Sequence, residues 1–309
     1  MEQIKKLGNE RGKDQTVLFG TDYARTLAQT AAIPEAMKTS FDLSCIRRKN
    51  TEGYHYFISA LTGKDTESWI PLAVPARSAM LYNPMNGSSG KALLRQKDGK
   101  TEVYLQLASG ESAILKTFTE ADVQVPEWKY QTVAQGTVEL SGLWSLRFVE
   151  SAPAVHSVPD SVSLGSWTDL SFEGAGTTMG TGCYTTAFVI ENPASAQDWQ
   201  LSLGDVRESA RVRINGREVA TLWAVPYCCP IGQYLRPGKN ILEIEVTNLP
   251  ANRIADMDRR GVKWRIFKDI NIAALGYKKG TYVGWEPVPS GLLGPVRIIP
   301  LKITKNEMQ

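Results

Sequence analysis

The chain has few of the residues that usually announce a chemistry. It holds four cysteines and two histidines in 309 residues. Cys45, Cys183, Cys228 and Cys229 form no C-x-x-C pair, and His55 and His156 lie far from them, so zinc-site spacing is absent. Buried, reduced thiols are the ordinary reading of such cysteines. No G-x-S-x-G turn accompanies either histidine, which leaves Ser-His-Asp catalysis without support. No run of about 18 apolar residues occurs, so no membrane span is expected. The first residues, Met1-Glu-Gln-Ile-Lys-Lys-Leu-Gly, lack the apolar stretch of a signal peptide. That leaves either an intracellular chain or a piece whose export signal lies elsewhere. A net charge of +3, with Lys and Arg scattered, argues against a nucleic-acid partner. The glycine pairs Gly174-Ala-Gly176 and Gly180-Thr-Gly182 precede no helical pattern, so they do not read as phosphate cradles.

What is present is strand after strand. Hydrophobic content of 42% and charged content of 22% belong to a globular protein, and the length suits two domains. The sharpest local signal is Asn215-Gly216. It sits between Arg211-Val-Arg-Ile214 and Arg217-Glu-Val-Ala220, both alternating. Asn-Gly supplies the two positive-φ residues of a type I′ turn, so a tight hairpin is expected there. Leu43-Ser-Cys-Ile46 and Tyr54-His-Tyr-Phe-Ile-Ser59, separated by Asn50-Thr-Glu-Gly53, predict a second hairpin. Asn83-Pro-Met-Asn-Gly87, Lys97-Asp-Gly-Lys100 and Ser109-Gly110 are further turns.

The expected organisation follows. Residues 1–35 are a tail with a short helix over Thr21–Ile33, ended by Pro34. A small β-sandwich occupies 36–120, a linker 121–135, and a larger sandwich 136–309. The fold class is all-β. Strand rhythm breaks between Asn248 and Tyr282, and a break that long is usually functional or disordered.

Several stretches together resemble a known family. Ser141-Gly-Leu-Trp144, Leu164-Gly-Ser-Trp167, Gly180-Thr-Gly-Cys-Tyr184, Gly204-Asp-Val-Arg-Glu-Ser-Ala210, Leu222-Trp-Ala-Val-Pro-Tyr227 and Ser290-Gly-Leu-Leu-Gly-Pro-Val-Arg297 resemble the sugar-binding β-sandwich of family 2 glycoside hydrolases. Ile33-Pro-Glu35, Gly53-Tyr-His-Tyr-Phe57 and Leu105-Gln-Leu-Ala-Ser-Gly-Glu-Ser112 resemble the region after the catalytic barrel in family 106, the α-L-rhamnosidases. The resemblance implies that the second sandwich is a galactose-binding-like jelly roll and that carbohydrate is the ligand class. It also implies that acid and base carboxylates sit on a (β/α)₈ barrel of about 250 residues. Nothing of that size precedes Thr21. No catalytic residue is therefore carried over, and enzymes of this type are periplasmic or extracellular.

Three functions follow as expectations. The first is a non-catalytic, carbohydrate-binding or accessory portion of a rhamnosidase-like enzyme acting on plant or microbial polysaccharide. The second is a stand-alone glycosidase using carboxylates between Asn248 and Glu286. The third is an assembly module that docks on a catalytic barrel without binding sugar. Glycoside cleavage needs two carboxyls about 5–10 Å apart. Asp169, Glu173, Glu191, Asp205, Glu208, Asp256, Asp258 and Glu286 show no spacing that singles out a pair.

Sugar C–H faces stack on aromatic rings while hydroxyls pair with planar polar groups. Trp223, Tyr227, Arg253, Trp264, Tyr282, Trp285 and Glu286 combine these chemistries in the irregular half of the second sandwich, and they are the candidate oligosaccharide- or polysaccharide-binding residues. The ordinary alternative is that the rings pin a long loop to the sheet. Trp144, Trp167 and Trp199 sit in strand patterns and are expected in the core. No cofactor is required. Asp256-Met-Asp258 offers oxygens to Ca²⁺ but lacks the glycine and terminal glutamate of an EF-hand loop, so a solvated loop with local arginine pairs competes with a calcium site.

Overall fold

The structure is a computed structural model that describes residues 22, 33–170, 173–265 and 280–304. The chain divides into two compact units, Met1–Trp128 and Lys129–Gln309. The helix expected over Thr21–Ile33 lies, apart from residues 22 and 33, outside the described residues.

Among the described residues, the first element of the first unit is a six-residue helix α1 (Ala36–Phe41). The sequence pattern predicts no helix after Pro34. One turn forms because Asp42 closes it in the left-handed conformation and Met37 is fully buried beneath it. Strands β1 (Ser44–Lys49) and β2 (Gly53–Ser59) then form the expected hairpin. The Asn50 Oδ1 atom accepts from the amides of Glu52 and Gly53, which fixes the turn. Strands β3 (Thr66–Pro71), β4 (Ser78–Tyr82), β5 (Ser89–Lys91), β6 (Leu94–Lys97), β7 (Lys100–Leu107) and β8 (Ser112–Phe118) complete two antiparallel sheets, ordered β1-β2-β8-β4-β5 and β3-β7-β6. Asp98 and Gly99 both have positive φ in the tight turn between β6 and β7. The Ser109-Gly110 turn, by contrast, passes the chain from one sheet to the other. Tyr56, Ile58, Leu81 and Leu115 from one sheet and Ile70, Val103 and Leu105 from the other are buried, which is the core of a sandwich.

The second unit has the strands β9 (Tyr130–Val133), β10 (Val138–Glu139), β11 (Ser145–Ala152), β12 (Met179–Ile190), β13 (Asp198–Ser202), β14 (Asp205–Arg207), β15 (Ser209–Ile214), β16 (Arg217–Leu222), β17 (Cys228–Pro230), β18 (Gly238–Thr247), β19 (Gly291–Gly294) and β20 (Arg297–Thr304). One sheet runs β11-β12-β18-β15-β16; a second runs β10-β20-β13-β17, with β9 added on β20. Their facing residues, including Tyr184, Trp199, Leu201, Val212, Ile244 and Ile298, form one continuous core with Trp144, just before β11, and Trp167, in a short 3-10 turn rather than a strand. The three tryptophans expected inside are there. Asn215 (φ 52°) and Gly216 (φ 75°) turn the β15–β16 hairpin as the Asn-Gly pair requires. The Asn215 side chain also holds the neighbouring turn: its Nδ2 donates to the Tyr234 carbonyl at 3.1 Å, and its Oδ1 accepts from the Ile241 amide.

The break in strand rhythm after Asn248 begins with a second helix, α2 (Ala251–Arg259), where the sequence had shown no helical period. The inward face of α2 carries Asn252 and Ala255, so one of its two buried residues is polar and the apolar stripe is interrupted.

Candidate functional site

The end of β11, the start of β12 and the end of β18 lie at one end of the antiparallel sheet, because β12 pairs with both neighbours. Helix α2 leaves from that end, and the segment 280–290 returns to it before β19. A buried polar network ties the two down. The Asn252 Nδ2 donates to the Val288 carbonyl at 2.7 Å, and its Oδ1 accepts from the Val288 amide at 2.8 Å. Asn248 bridges in turn: its Oδ1 accepts from the Gly180 amide, and its Nδ2 donates to Thr178 O and Ser290 Oγ. The Ser290 amide donates to Ser166 Oγ at 3.0 Å. Next to it Gly291 sits at φ 93°, so close to Trp167 Nε1 and the Tyr184 hydroxyl that a Cβ has no room.

On this anchored frame three candidate rings meet. The Trp264 and Tyr282 centroids are 6.1 Å apart, and those of Tyr282 and Trp285 are 4.6 Å apart, edge to face. Trp285 is 49% exposed, so this corner offers a ring to solvent. Arg265 lies over Trp264 at 5.0 Å and over Tyr282 at 5.5 Å. The hub of the corner is Asp258, near the end of α2. It accepts from Trp264 Nε1 at 2.6 Å, the Tyr282 amide at 2.9 Å and Thr281 Oγ1 at 3.2 Å, with Arg265 at 3.7 Å. The Tyr282 amide first, then the Trp264 indole, hold its carboxyl below the usual carboxylate range. The Arg259 guanidinium donates to Val283 O and Trp285 O, fixing the far edge.

The other candidates fall elsewhere. Tyr227 is buried in the core and its hydroxyl donates to Glu208 O at 2.6 Å, so it presents no ring to a ligand. Trp223 is 65% exposed in the loop after β16 and makes no ring contact with the corner. Glu286 is exposed and forms no hydrogen bond or ion pair among the described residues. Arg253 and Asp256 pair at 3.0 Å on α2, and Arg260 reaches the same Asp256 oxygen at 3.0 Å. Asp256 and Asp258 are two residues apart on a helix and so point to different sides. Each is engaged by its own donors, so this pair does not converge on one ion. Among the described residues no group of three or more His, Cys, Asp and Glu side chains gathers as a metal site.

What sequence reasoning missed is the role of Asp258 as organiser of the corner, along with Asn248, Asn252 and Ser290 as its base. No short-range pattern signals these, since the partners of Asp258 lie as far off as residue 282. The four cysteines are free; Cys183 and Cys229 are buried, while Cys45 and Cys228 are half-buried.

No family model matches the chain. Over 179 residues it is 31% identical to a putative beta-glucuronidase of Formosa agariphila, a stretch that covers 52% of this chain and 15% of that protein. The solved structure of a rhamnosidase from Novosphingobium sp. PP1Y matches 83% of this chain and 24% of its own, at 25% identity and a TM-score of 0.62. The chain thus spans a minor part of the length of both proteins. In sequence and in β-sandwich fold, its relatives are glycoside hydrolases.

Proposed function

We propose that this chain is the non-catalytic β-sandwich portion of a rhamnosidase-like glycoside hydrolase of the family 106 type, and that it engages oligosaccharide at the corner formed by Trp264, Tyr282 and Trp285. In this reading residues 36–120 are a small sandwich, 121–135 connect it and already include strand β9 of the second unit, and 136–309 are a galactose-binding-like jelly roll. The observation that carries the reading is the likeness to the rhamnosidase over 83% of the chain. The exposed ring of Trp285 and the cationic Arg265 beside it suit a sugar face and its hydroxyls. The non-catalytic part is supported by the spending of Asp256 and Asp258 on local partners: a general acid needs a raised pKa, and the carboxyl of Asp258 is pushed the other way.

The test is calorimetry with rhamnose-containing oligosaccharides, beside an assay with an aryl α-L-rhamnoside. Binding that is lost in Trp285→Ala and Trp264→Ala, without turnover of the aryl glycoside, is expected. Turnover abolished by Asp256→Asn, Asp258→Asn or Glu286→Gln would overturn the non-catalytic reading.

A specific observation favours an assembly role as well. On the outward face of the first sandwich, register places Ile46 opposite Phe57, Phe57 opposite Ile114 and Ile114 opposite Tyr82. Ile46 is 71% and Phe57 46% exposed. An apolar row of this kind suits docking onto a catalytic barrel of the same enzyme. Charged substitutions Ile46→Lys and Phe57→Glu would abolish co-purification with such a barrel if the row is the contact.

A further inference from the structure

Helix α2 has a second side that the aromatic corner does not use. There a cavity of about 440 Å³ opens between α2 and two loops of the same sheet end. Its helix wall carries Arg253, Asp256 and Arg260, and the facing wall carries His156, Ser157, Glu173 and Thr177. The volume lies in the range of small-ligand sites.

The helix wall holds cationic capacity that it does not spend. Asp256 Oδ2 is the shared partner of both guanidiniums, at 3.0 Å from each. Arg253 has only 18% of its side chain exposed, yet Asp256 is its one hydrogen-bond partner among the described residues. Its remaining N–H groups belong to a residue that lines the cavity. Arg260 is 55% exposed and equally undersupplied. A planar guanidinium fork is matched by a carboxylate, which accepts two parallel bonds. The facing wall is different in kind: Glu173, Ser157, Thr177 and His156 line it, and side chains of these types are able to accept from or donate to hydroxyls.

We infer that this cavity binds a monosaccharide ring bearing a carboxylate, a uronate, with the acid toward Arg253 and Arg260 and ring hydroxyls toward Glu173 and Thr177. The site deepens the carbohydrate reading above and rests on it for the ligand class. Helix α2 then separates two subsites, a stacking one on the Asp258 side and an acid-reading one on the Asp256 side.

The experiment is NMR titration of the full chain with glucuronic and galacturonic acids against glucose and galactose, repeated with rhamnose-containing oligosaccharides. The uronates are expected to bind about tenfold tighter than their neutral parents. Arg260→Gln, at an exposed position that leaves the fold intact, removes most of that preference, and Arg253→Gln removes it altogether. Trp285→Ala leaves it unchanged. Equal affinity for acid and neutral sugars would overturn the inference, as would a uronate preference that survives both arginine variants. The two readings fail separately. Oligosaccharide binding that needs Trp285, without uronate preference, sinks only the acid-reading site. Uronate preference that needs Arg253, with oligosaccharide binding untouched by Trp285→Ala and Trp264→Ala, sinks only the stacking corner.

Discussion

Removing the Asn252 side chain tests how the candidate site is held. Asn252→Ala deletes three hydrogen bonds: to the Val288 carbonyl at 2.7 Å, from the Val288 amide at 2.8 Å, and to Ser290 Oγ at 3.3 Å. Each is worth about 1 kcal/mol net. Ser290 Oγ keeps its contact with Asn248 Nδ2, so the third bond is the least missed. Alanine returns about 0.5 kcal/mol as the better helix former. The remainder is a local loss of about 2 kcal/mol, or roughly 30-fold in the opening equilibrium of segment 280–290. Amide hydrogen exchange reads it directly, because the Val288 N–H donates to Asn252 Oδ1. Its exchange should speed up roughly 30-fold, while amides of the central pair β12–β18 keep their protection. An unchanged Val288 rate would refute the reasoning. Equal acceleration of Val288 and of the β12–β18 amides would also refute it, since the defect would then be global.

Asp258 gives a pH prediction with a defined sign. Its folded pKa is lowered, chiefly by the Tyr282 amide, so its contribution is complete above the unfolded value of about 3.9 and disappears as pH falls through the folded value. Trp264 fluorescence should therefore hold steady from pH 7 to below about 4 and then change, and Asp258→Asn should erase that late transition. Gly291→Ala would press a methyl into Trp167 and Tyr184 at a positive-φ position; a loss of about 3 kcal/mol or more in urea denaturation of the second unit is expected. Burial pushes the Cys229 thiol up to about 12, so in the folded protein at pH 8 it should resist iodoacetamide, and mass spectrometry after denaturation should reveal the difference. Gly216→Ala, strained only by its φ of 75°, should cost about 1 kcal/mol in the same urea assay.

The β architecture was legible wherever a turn imposes its own backbone. Asn215-Gly216, Asp98-Gly99 and Asn50 each set a conformation from one or two residues, and the alternating flanks then fix the register. Helices α1 and α2 were not legible. Both are short, and α2 turns Asn252 inward, so its burial depends on a polar partner 36 residues away. The candidate site was legible in part. Residue type alone picked out Trp264, Tyr282 and Trp285, since rings in an irregular stretch suit sugar faces; of the three only Trp285 is exposed. Nothing local told Tyr227 from them; it is buried in the core, with its hydroxyl donating to the Glu208 carbonyl. In the sequence Asp256 and Asp258 offered oxygens to one calcium ion. A helix separates them, because positions two apart face different ways.

The Ser290 junction has a consequence for the order of events in folding. Its amide is tied to Ser166, which lies 124 residues earlier, and its hydroxyl to Asn248, 42 residues earlier. Bonds that span such distances bring a closure entropy that only an already collapsed chain recovers. The corner is therefore among the last parts to assemble. Under the proposed oligosaccharide reading, a newly made polypeptide would gain its grip on a glycan only after the whole second unit had closed, and ligand capture would then be a readout of completed folding.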